Sequence, residues 1–559
     1  MSAECQLSVH RPSEKSDDVR VHQARVLDTF DAAVAGFGLS QRAFADAFDV
    51  PRSTLQGWLA RRDDIDAHPA VVAFCESEVG LRFLHRIVLA AQVVITLSTP
   101  GGIRQVCLFL GLSGLRRFVA SSYGSQQEAI TALEGEAGDF DDVERTRLGE
   151  QMPHRQITVV EDETFHPQPC LVAIEPVSDF TLLEQYADNR EAKTWTDAVA
   201  DATRGMKVTI VQSTSDECGA LAKHAEHGLG AHHSPDLFHV QHEVVKGTSL
   251  PMASRVTAAE KRLEEVAGHR TWLEQVGGEN PTRMTQKHIE EARAAEECAK
   301  ARVAEAEAEG ERMLEEVRGL SADYHPFDLM TGAVRSAQTV STELEERFTV
   351  LRELASRAML SERSRERIEK AHRVVAKMVA TIAFVHAMVT ARVEALGLAE
   401  PLERVLLERW IPGLYVAAVA RKATRADDRR VLRRRAEAIL PSAGEREELL
   451  RGLSPQDRLL VETVAEECAH LFQRSTAPVE GRNGHLELFH HGHHRLTARK
   501  LKALTAVHNY LKQRRDGTTA AERFFGQKPR DLFEYLVERL PMPKRPRSSS
   551  ASKAESLPN

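Results

Sequence analysis

Apolar residues recur at helical spacing along most of the chain and at strand-like spacing over one stretch. From about residue 26 to 140 the pattern predicts short helices joined by tight turns. Residues 156–245 change character. Gln156–Asp162, Pro169–Glu175, Phe180–Tyr186 and Lys207–Val211 are rich in Val, Ile and Leu and read as strands, with a helix over Glu191–Thr203 between the third and fourth. Residues 252–470 are helical again. Two long charged segments, 252–276 and 282–319, flank the break GGENP and predict an antiparallel hairpin. Their charges alternate in sign over an Ala/Leu/Val seam, the pattern of a solvated coiled-coil arm. The segment 373–396 is apolar nearly all round but carries Lys377, His386 and Arg392, which favours a buried bundle helix. A last helical block covers 471–540. Residues 1–25 and the Pro/Ser/Lys-rich 541–559 are expected to be disordered.

This order predicts an α/β core (150–250) interrupted by a large all-α insertion (251–470, with the hairpin at 252–319) and preceded by an all-α region (26–145). The core is expected to resume at 471–540. Composition narrows the function. The 559 residues are 42% apolar and 28% charged, which excludes wholesale disorder, and 5% aromatics argues against an all-β chain. The seven cysteines are scattered without a CxxC, which suits a reducing cytoplasm. No apolar run reaches the roughly 18–20 residues that span a bilayer, and the N-terminus has no apolar signal core, so no membrane partner is expected. The net charge of −8 excludes a uniformly basic surface. Yet Arg495–Arg547 holds 14 Lys/Arg against 5 acids, the electrostatic footprint of a local polyanion contact that includes Arg499 and Lys500.

Residues 39–62, LSQRAFADAFDVPRSTLQGWLARR, read as a helix-turn-helix. Ser40 can cap the first helix and Pro51 can open the second. Phe44, Phe48, Val50, Leu55, Trp58 and Leu59 are spaced to pack the two together. That leaves Arg52, Ser53, Thr54 and Gln56 facing base edges in double-stranded DNA, with Arg61 and Arg62 near phosphates. A second, more apolar candidate is 99–124, with Arg116 and Arg117 after a GLSG turn.

Three acids stand where a two-metal phosphoryl-transfer site would need them. Asp162 ends the first apolar strand and Asp216 follows the fourth; a sheet fixes the backbone there while the side chains project. Two Mg²⁺ (or Mn²⁺) ions about 3.5–4 Å apart need a bridging carboxylate and terminal ones. Glu480, in STAPVEGRNGHLEL, is the best third ligand, on a helix whose start suits Pro478. Arg482 and Asn483 beside it can hold a phosphate. Glu161 or Glu163 can replace Asp162, strand register deciding, and Glu487 can replace Glu480.

Three strands, a helix and a fourth strand, with acids on the first and just after the fourth, resemble the ribonuclease-H-like core of DDE transposases. The stretch SDECGALAKHAEHGLGAHHSPDLFHVQHEV (215–244) is similar to the segment after the second acid in Mutator-like transposases, whose Cys/Asp-x-x-His signature would fall on Asp236 and His239. The C-terminal VEGRNGHLELFHHGHHRLTARKLKALTAVHNYLKQRRDGTTAAERFFGQKP (479–529) resembles the end of many bacterial insertion-sequence transposases. The resemblance implies catalytic Asp162, Asp216 and Glu480 holding two Mg²⁺ or Mn²⁺ ions. It also implies cleavage and strand transfer at element ends, a homodimer or larger assembly that pairs two ends, and a place in the bacterial cytoplasm on the nucleoid. A catalytically inactive, DNA-binding descendant of such an enzyme is the alternative. The histidines of HHGHH (490–494) have no partner cluster at zinc-ligand spacing, and no GxxxxGK[ST] phosphate loop occurs.

Overall fold

The computed structural model describes residues 19–62, 68–165, 168–493 and 496–545. They form two compact units: Met1–Gln151 with Gly484–Asn559, and Met152–Asn483. The division differs from the predicted one. Residues from Gly484 onward belong with the N-terminal helices, whereas the sheet and the helical insertion share one unit. The coarse expectation, a mixed sheet beside a large helical region, stands.

In the first unit, α1 (Val19–Phe37), α2 (Gln41–Ala47) and α3 (Arg52–Ala60) pack around Phe30, Phe44, Val50 and Leu55. α1 begins inside the stretch expected to be disordered. The Ser40 hydroxyl accepts from Ala43 N, and Asp49 makes the turn at φ +54°. The second candidate, 99–124, is not a helix-turn-helix. After the helix Ile103–Leu112, Leu115–Arg117 form a single 3₁₀ turn, because Phe118 and Val119 plunge into the core and draw the chain back.

The basic end of the chain is largely neutralised within this unit. Arg499 and Lys500 share Glu134, Lys502 meets Asp142, Arg530 meets Glu144 and Arg539 meets Glu136. All four acids lie on the helix Tyr123–Gln151. The +9 stretch is thus in good part the complement of an acidic helix. Of residues 541–559, Pro541–Arg545 are described and fixed: the Lys544 carbonyl accepts from Ala120 N, and Arg545 pairs with Glu76. The remaining tail, from 546, and His494 lie outside the described residues.

The second unit holds a five-stranded mixed sheet in the order β3-β2-β1-β4-β5. Its strands are β1 (Arg155–Phe165), β2 (Pro169–Glu175), β3 (Phe180–Tyr186), β4 (Val208–Ser215) and β5 (His232–Pro235). β2 is antiparallel to β1 and β3, while β4 is parallel to β1 and β5. β4 runs further than its apolar pattern implied, and β5 was not foreseen. Both are polar and pair with one another and with a distant loop: Gln212 Nε2 donates to Ser234 Oγ at 2.8 Å and to the Gln473 carbonyl at 3.0 Å, and Ser215 Oγ meets His233 Nε2 at 3.0 Å, while Gln212 Oε1 and His233 Nδ1 stay buried without a partner among the described residues. Burying polar groups costs least where they are hydrogen-bonded, and these bonds offset most of that cost.

The sheet has two distinct faces. On one, Glu161 accepts from Ser213 and meets His224 Nε2 at 3.2 Å, with Trp195 of the helix Ala192–Ala202 beside the imidazole. On the other stand Gln212, Thr214 and Asp162, toward the helical region. That region shares a core built from Leu344, Phe348, Ile382, Trp410 and Tyr415. The arm is a hairpin of two 41-residue helices, Leu237–Gly277 and Arg283–Asp323, stitched by Arg255–Glu309, Arg270–Glu296 and Arg293–Glu274. The first begins 15 residues earlier than the charge pattern suggested and passes through Pro251. Glu78–Ser98 and Glu362–Glu394 are helices long and apolar enough to cross a membrane by length and composition. Both nonetheless donate residues to interior clusters, Leu84 and Val88 to one and Met378 and Ile382 to the other.

The imidazole of His470 makes a pH prediction. Burial, with the Arg421 and Lys422 charges, holds its pKa down at about 4. The folded pKa is below the unfolded one, so its contribution is complete above about pH 6.5 and is lost as pH falls toward 4. His470→Gln should therefore lose less of its urea midpoint between pH 7.5 and 4.5 than the parent chain does.

Candidate active site

The site is built on a register. Along β1 and β4, Arg155 pairs with Val208 and Ile157 with Ile210, but Thr158 pairs with Gln212 and Val160 with Thr214. One extra residue in β4, Val211, shifts the pairing. Carried two residues further, that register brings Asp162, in β1, level with Asp216, the first residue after β4. The row continues in both directions. Asp162 pairs with Val172 and Val172 with Glu184, while Ser215 pairs with Pro235, so that Asp236 follows beside Asp216. Glu184, Asp162, Asp216 and Asp236 thus cross the sheet in one line.

The same parity settles which acid of the EDE triplet faces the site. Glu161 is fully buried on the opposite face with Ser213 and His224, and Glu163 pairs with Arg190 at 2.6 Å. Asp162 alone of the three meets the helix Ala477–His493: Asn483 Nδ2 donates to its Oδ2 at 3.2 Å. Burial, reinforced by the charges of Glu163 and Asp216, raises its pKa to about 7, while the Glu163 amide and His239 pull the other way.

Asp236 is buried and serves three neighbours. Its Oδ1 accepts from Phe238 N and caps the helix Leu237–Gly277; its Oδ2 accepts from Thr476 Oγ1 at 2.6 Å and holds His239 Nδ1 at 2.7 Å. The pKa of His239 is raised, first by that bond and then by the charges of Asp236, Asp216 and Asp162. Its Nε2 has no hydrogen-bond partner among the described residues. Thr476 precedes the helix whose first turn carries Glu480, and Glu480 is raised by burial and by Asp236. One ligand atom each from Asp236, His239 and Glu480 lie within 4.8 Å of one another. Two of the three predicted acids, Asp162 and Asp216, therefore stand level on the sheet, while Glu480 gathers with the Asp236/His239 signature. Glu487, the rival to Glu480, is exposed and pairs with His491 at 2.9 Å.

Arg482 and Asn483 do not wait for a phosphate. Arg482 is buried and donates through Nε (2.6 Å) and Nη2 (2.5 Å) to the two oxygens of Glu184. Asn483 is spent on Asp162. The two residues seat Glu480's helix on the acid row, one on β3 and one on β1. Lys500 is likewise removed from DNA contact: its side chain is 12% exposed and paired with Glu134, whereas Arg499 is half-exposed. Arg52, Ser53, Gln56, Arg61 and Arg62 are exposed and Thr54 half-buried at either end of α3, with Arg62 bonded to Asp31 at 3.1 Å.

Glu184 and Thr476 are not among the site residues expected from the amino acids alone. A lone acid in FTLLEQY and a Ser-Thr pair ahead of Pro478 are signals of a buried pair and an anchored helix start.

A protein family described as a family of unknown function (DUF6399) matches residues 406–552. The match takes in Glu480, Arg482 and Asn483 but none of the strand acids. No curated protein and no solved structure matches the chain.

Removing one side of the buried Arg482–Glu184 pair leaves an uncompensated charge. Arg482→Met should cost about 3–5 kcal/mol in chemical denaturation. The double variant with Glu184→Leu should regain most of that loss.

Proposed function

We propose that the chain is a DNA transposase of the DDE type. Its ribonuclease-H-like core would cleave and transfer strands at element ends by in-line phosphoryl transfer. The observation that carries this reading is Asp162 on β1 beside Asp216, directly after the adjacent parallel β4, with Glu480, 264 positions after Asp216, returned beside Asp236 and His239. The order of three strands, helix and strand, with acids on the first and after the fourth, supports it.

The donor set suits divalent cations. Asp162 sits with its pKa raised to about 7 beside a second carboxylate, a burden that a cation relieves. The carboxylates of Asp162, Asp216 and Glu480 would hold Mg²⁺ or Mn²⁺, with His239 Nε2 a further donor. Bound there, the ions would activate the attacking water and stabilise the leaving 3′ oxygen. The chain's own contribution is placement. Asn483 fixes the Asp162 carboxylate, and Asp236 fixes the imidazole of His239 through Nδ1, so that Nε2 would be the nitrogen left to a cation. Thr476 and Arg482 hold Glu480's helix in position, so the groups need no reorganisation when the phosphodiester arrives.

The exposed start of α3 would bind duplex DNA, and a bacterial cytoplasmic location and an assembly that pairs two ends belong to the same reading. Asp216→Asn should abolish metal-dependent nicking of DNA carrying the element ends, by at least a hundredfold, while leaving end binding within about twofold. Equal nicking by the pure variant would remove Asp216 from the mechanism. Binding without nicking by the parent chain would make it a non-catalytic DNA-binding protein.

A further inference from the structure

The helix Ala426–Ile439 and the turn before it carry a charge that the fold does not use. From Arg421 to Ile439 the chain has eight Lys/Arg, seven of them arginine, against three acids, in a protein whose net charge is −8. The helix packed against it, Ile411–Lys422, has no carboxylate to offer and ends in two of those eight cations, Arg421 and Lys422. Arg430 reaches Asp427 at 3.4 Å in an exposed pair, and Arg429 turns back to the carbonyls of Ala423 and Thr424. Arg425, Arg433, Arg434 and Arg435 are exposed, and among the described residues their side chains make no hydrogen bond or ion pair.

Helix stability accounts for the acids and not for the arginines. Asp427 and Asp428 stand in the first turn, where carboxylates suit the helix dipole. Arg425 is the N-cap, makes no capping bond and puts a cation at that same positive end. The last turn, where cations would help, has none. Arg429 and Arg433, like Arg430 and Arg434, are equal charges four residues apart, a spacing at which they repel. An anion from outside the helix would relieve that repulsion.

The geometry favours a nucleic-acid backbone as that anion. Guanidinium forks match phosphate oxygens in pairs, and arginine outnumbers lysine here by seven to one. Arg425 to Arg435 spans about 15 Å of helix, the length over which one strand of a duplex presents about four phosphates. The protein's own long acidic element, the arm, is a poorer fit, because its carboxylates are engaged across the hairpin by Arg255, Arg270 and Arg293. The basic end is also tied to the chain that leads to the candidate site. Arg421 Nη2 meets His470 Nε2 at 3.3 Å, and Lys422 Nζ donates to Gln473 Oε1 at 3.4 Å. The Gln473 carbonyl accepts from Gln212 of β4, and three residues on Thr476 donates to Asp236.

We infer that the arginine face of the helix Ala426–Ile439 is a DNA-binding surface of the helical region, gripping the phosphate backbone without reading sequence and separate from α3. It concerns binding alone and stands whether or not the acids cleave DNA. Contacts of this kind release counterions, so they are read from the salt dependence of affinity.

The test uses the full-length chain, a short fluorophore-labelled duplex of arbitrary sequence, EDTA to prevent cleavage, and anisotropy titrations from about 50 to 200 mM salt. The variant R425Q/R433Q/R434Q/R435Q should bind about tenfold more weakly or worse at low salt. Its slope of log affinity against log salt should shrink by about 2–4, from roughly 0.9 per lost phosphate contact. The matching quadruple lysine variant should keep most of the parental slope, and circular dichroism should show parental helix content in both. Parental affinity and slope in the glutamine variant would overturn the inference, as would a parent chain that does not bind duplex DNA. Loss of polyglutamate binding with DNA binding unchanged would overturn it by assigning the face to an acidic protein. Loss of self-association in light scattering, with DNA binding unchanged, would overturn it by assigning the face to a second copy. A reduced slope in a chain whose parent never nicks DNA would uphold this surface while the cleavage reading fails.

Discussion

Side chains on a strand alternate between faces, so a shift of one residue in pairing reverses which groups meet. The extra residue at Val211 makes that shift between β1 and β4, and it brings Asp216 level with Asp162. Without it, Asp162 would stand level with Ser215, which bonds His233 on the face where Ser213 bonds Glu161. Every further feature of the site presupposes that alignment. Asn483 reaches one member of the row, Arg482 another, and Asp236 extends it to β5.

The row also explains why so much polar material is buried. An aligned line of carboxylates repels itself, and each must find a partner or a reason to keep its proton. Glu184 has the Arg482 fork and Asp236 has an amide, a hydroxyl and an imidazole. Asp162 has a single side-chain amide and its neighbour's backbone N–H, and its pKa rises accordingly. The groups best provided for are those that hold elements together.

Much of this was legible from the amino acids. The first three strands, the helix after them, the hairpin and the helix pair at 41–60 follow from apolar periodicity and capping residues, and the three acids were visible at element ends. The remainder was hidden by specific physics. β5 is the polar tetrad HHSP, whose burial depends on partners supplied by β4 and by Thr381, far along the chain. The basic C-terminal stretch reads as a surface for a polyanion because its counter-charges lie on the helix Tyr123–Gln151, hundreds of positions earlier. Arg482 looked like a phosphate ligand for the same reason: its carboxylate, Glu184, is 298 residues away. Local sequence reports what a group is; long-range pairing decides whether it is still available.

The helix that begins at Asp236 and ends at the tip of the arm is roughly 60 Å long at 1.5 Å per residue. Its stiffness is not uniform. Pro251 has no N–H to offer the Gly247 carbonyl, so the rod is most compliant about four turns beyond the first residue. The base is clamped on both sides, since Arg474 accepts Leu237 N at its carbonyl and donates to the carbonyls of Ser321 and Tyr324 where the hairpin returns. Flexure imposed on the outer arm is therefore absorbed near Pro251, while the turn bearing His239 stays anchored. Each degree of bending sweeps the far end through less than about 1 Å, and the imidazole keeps its place.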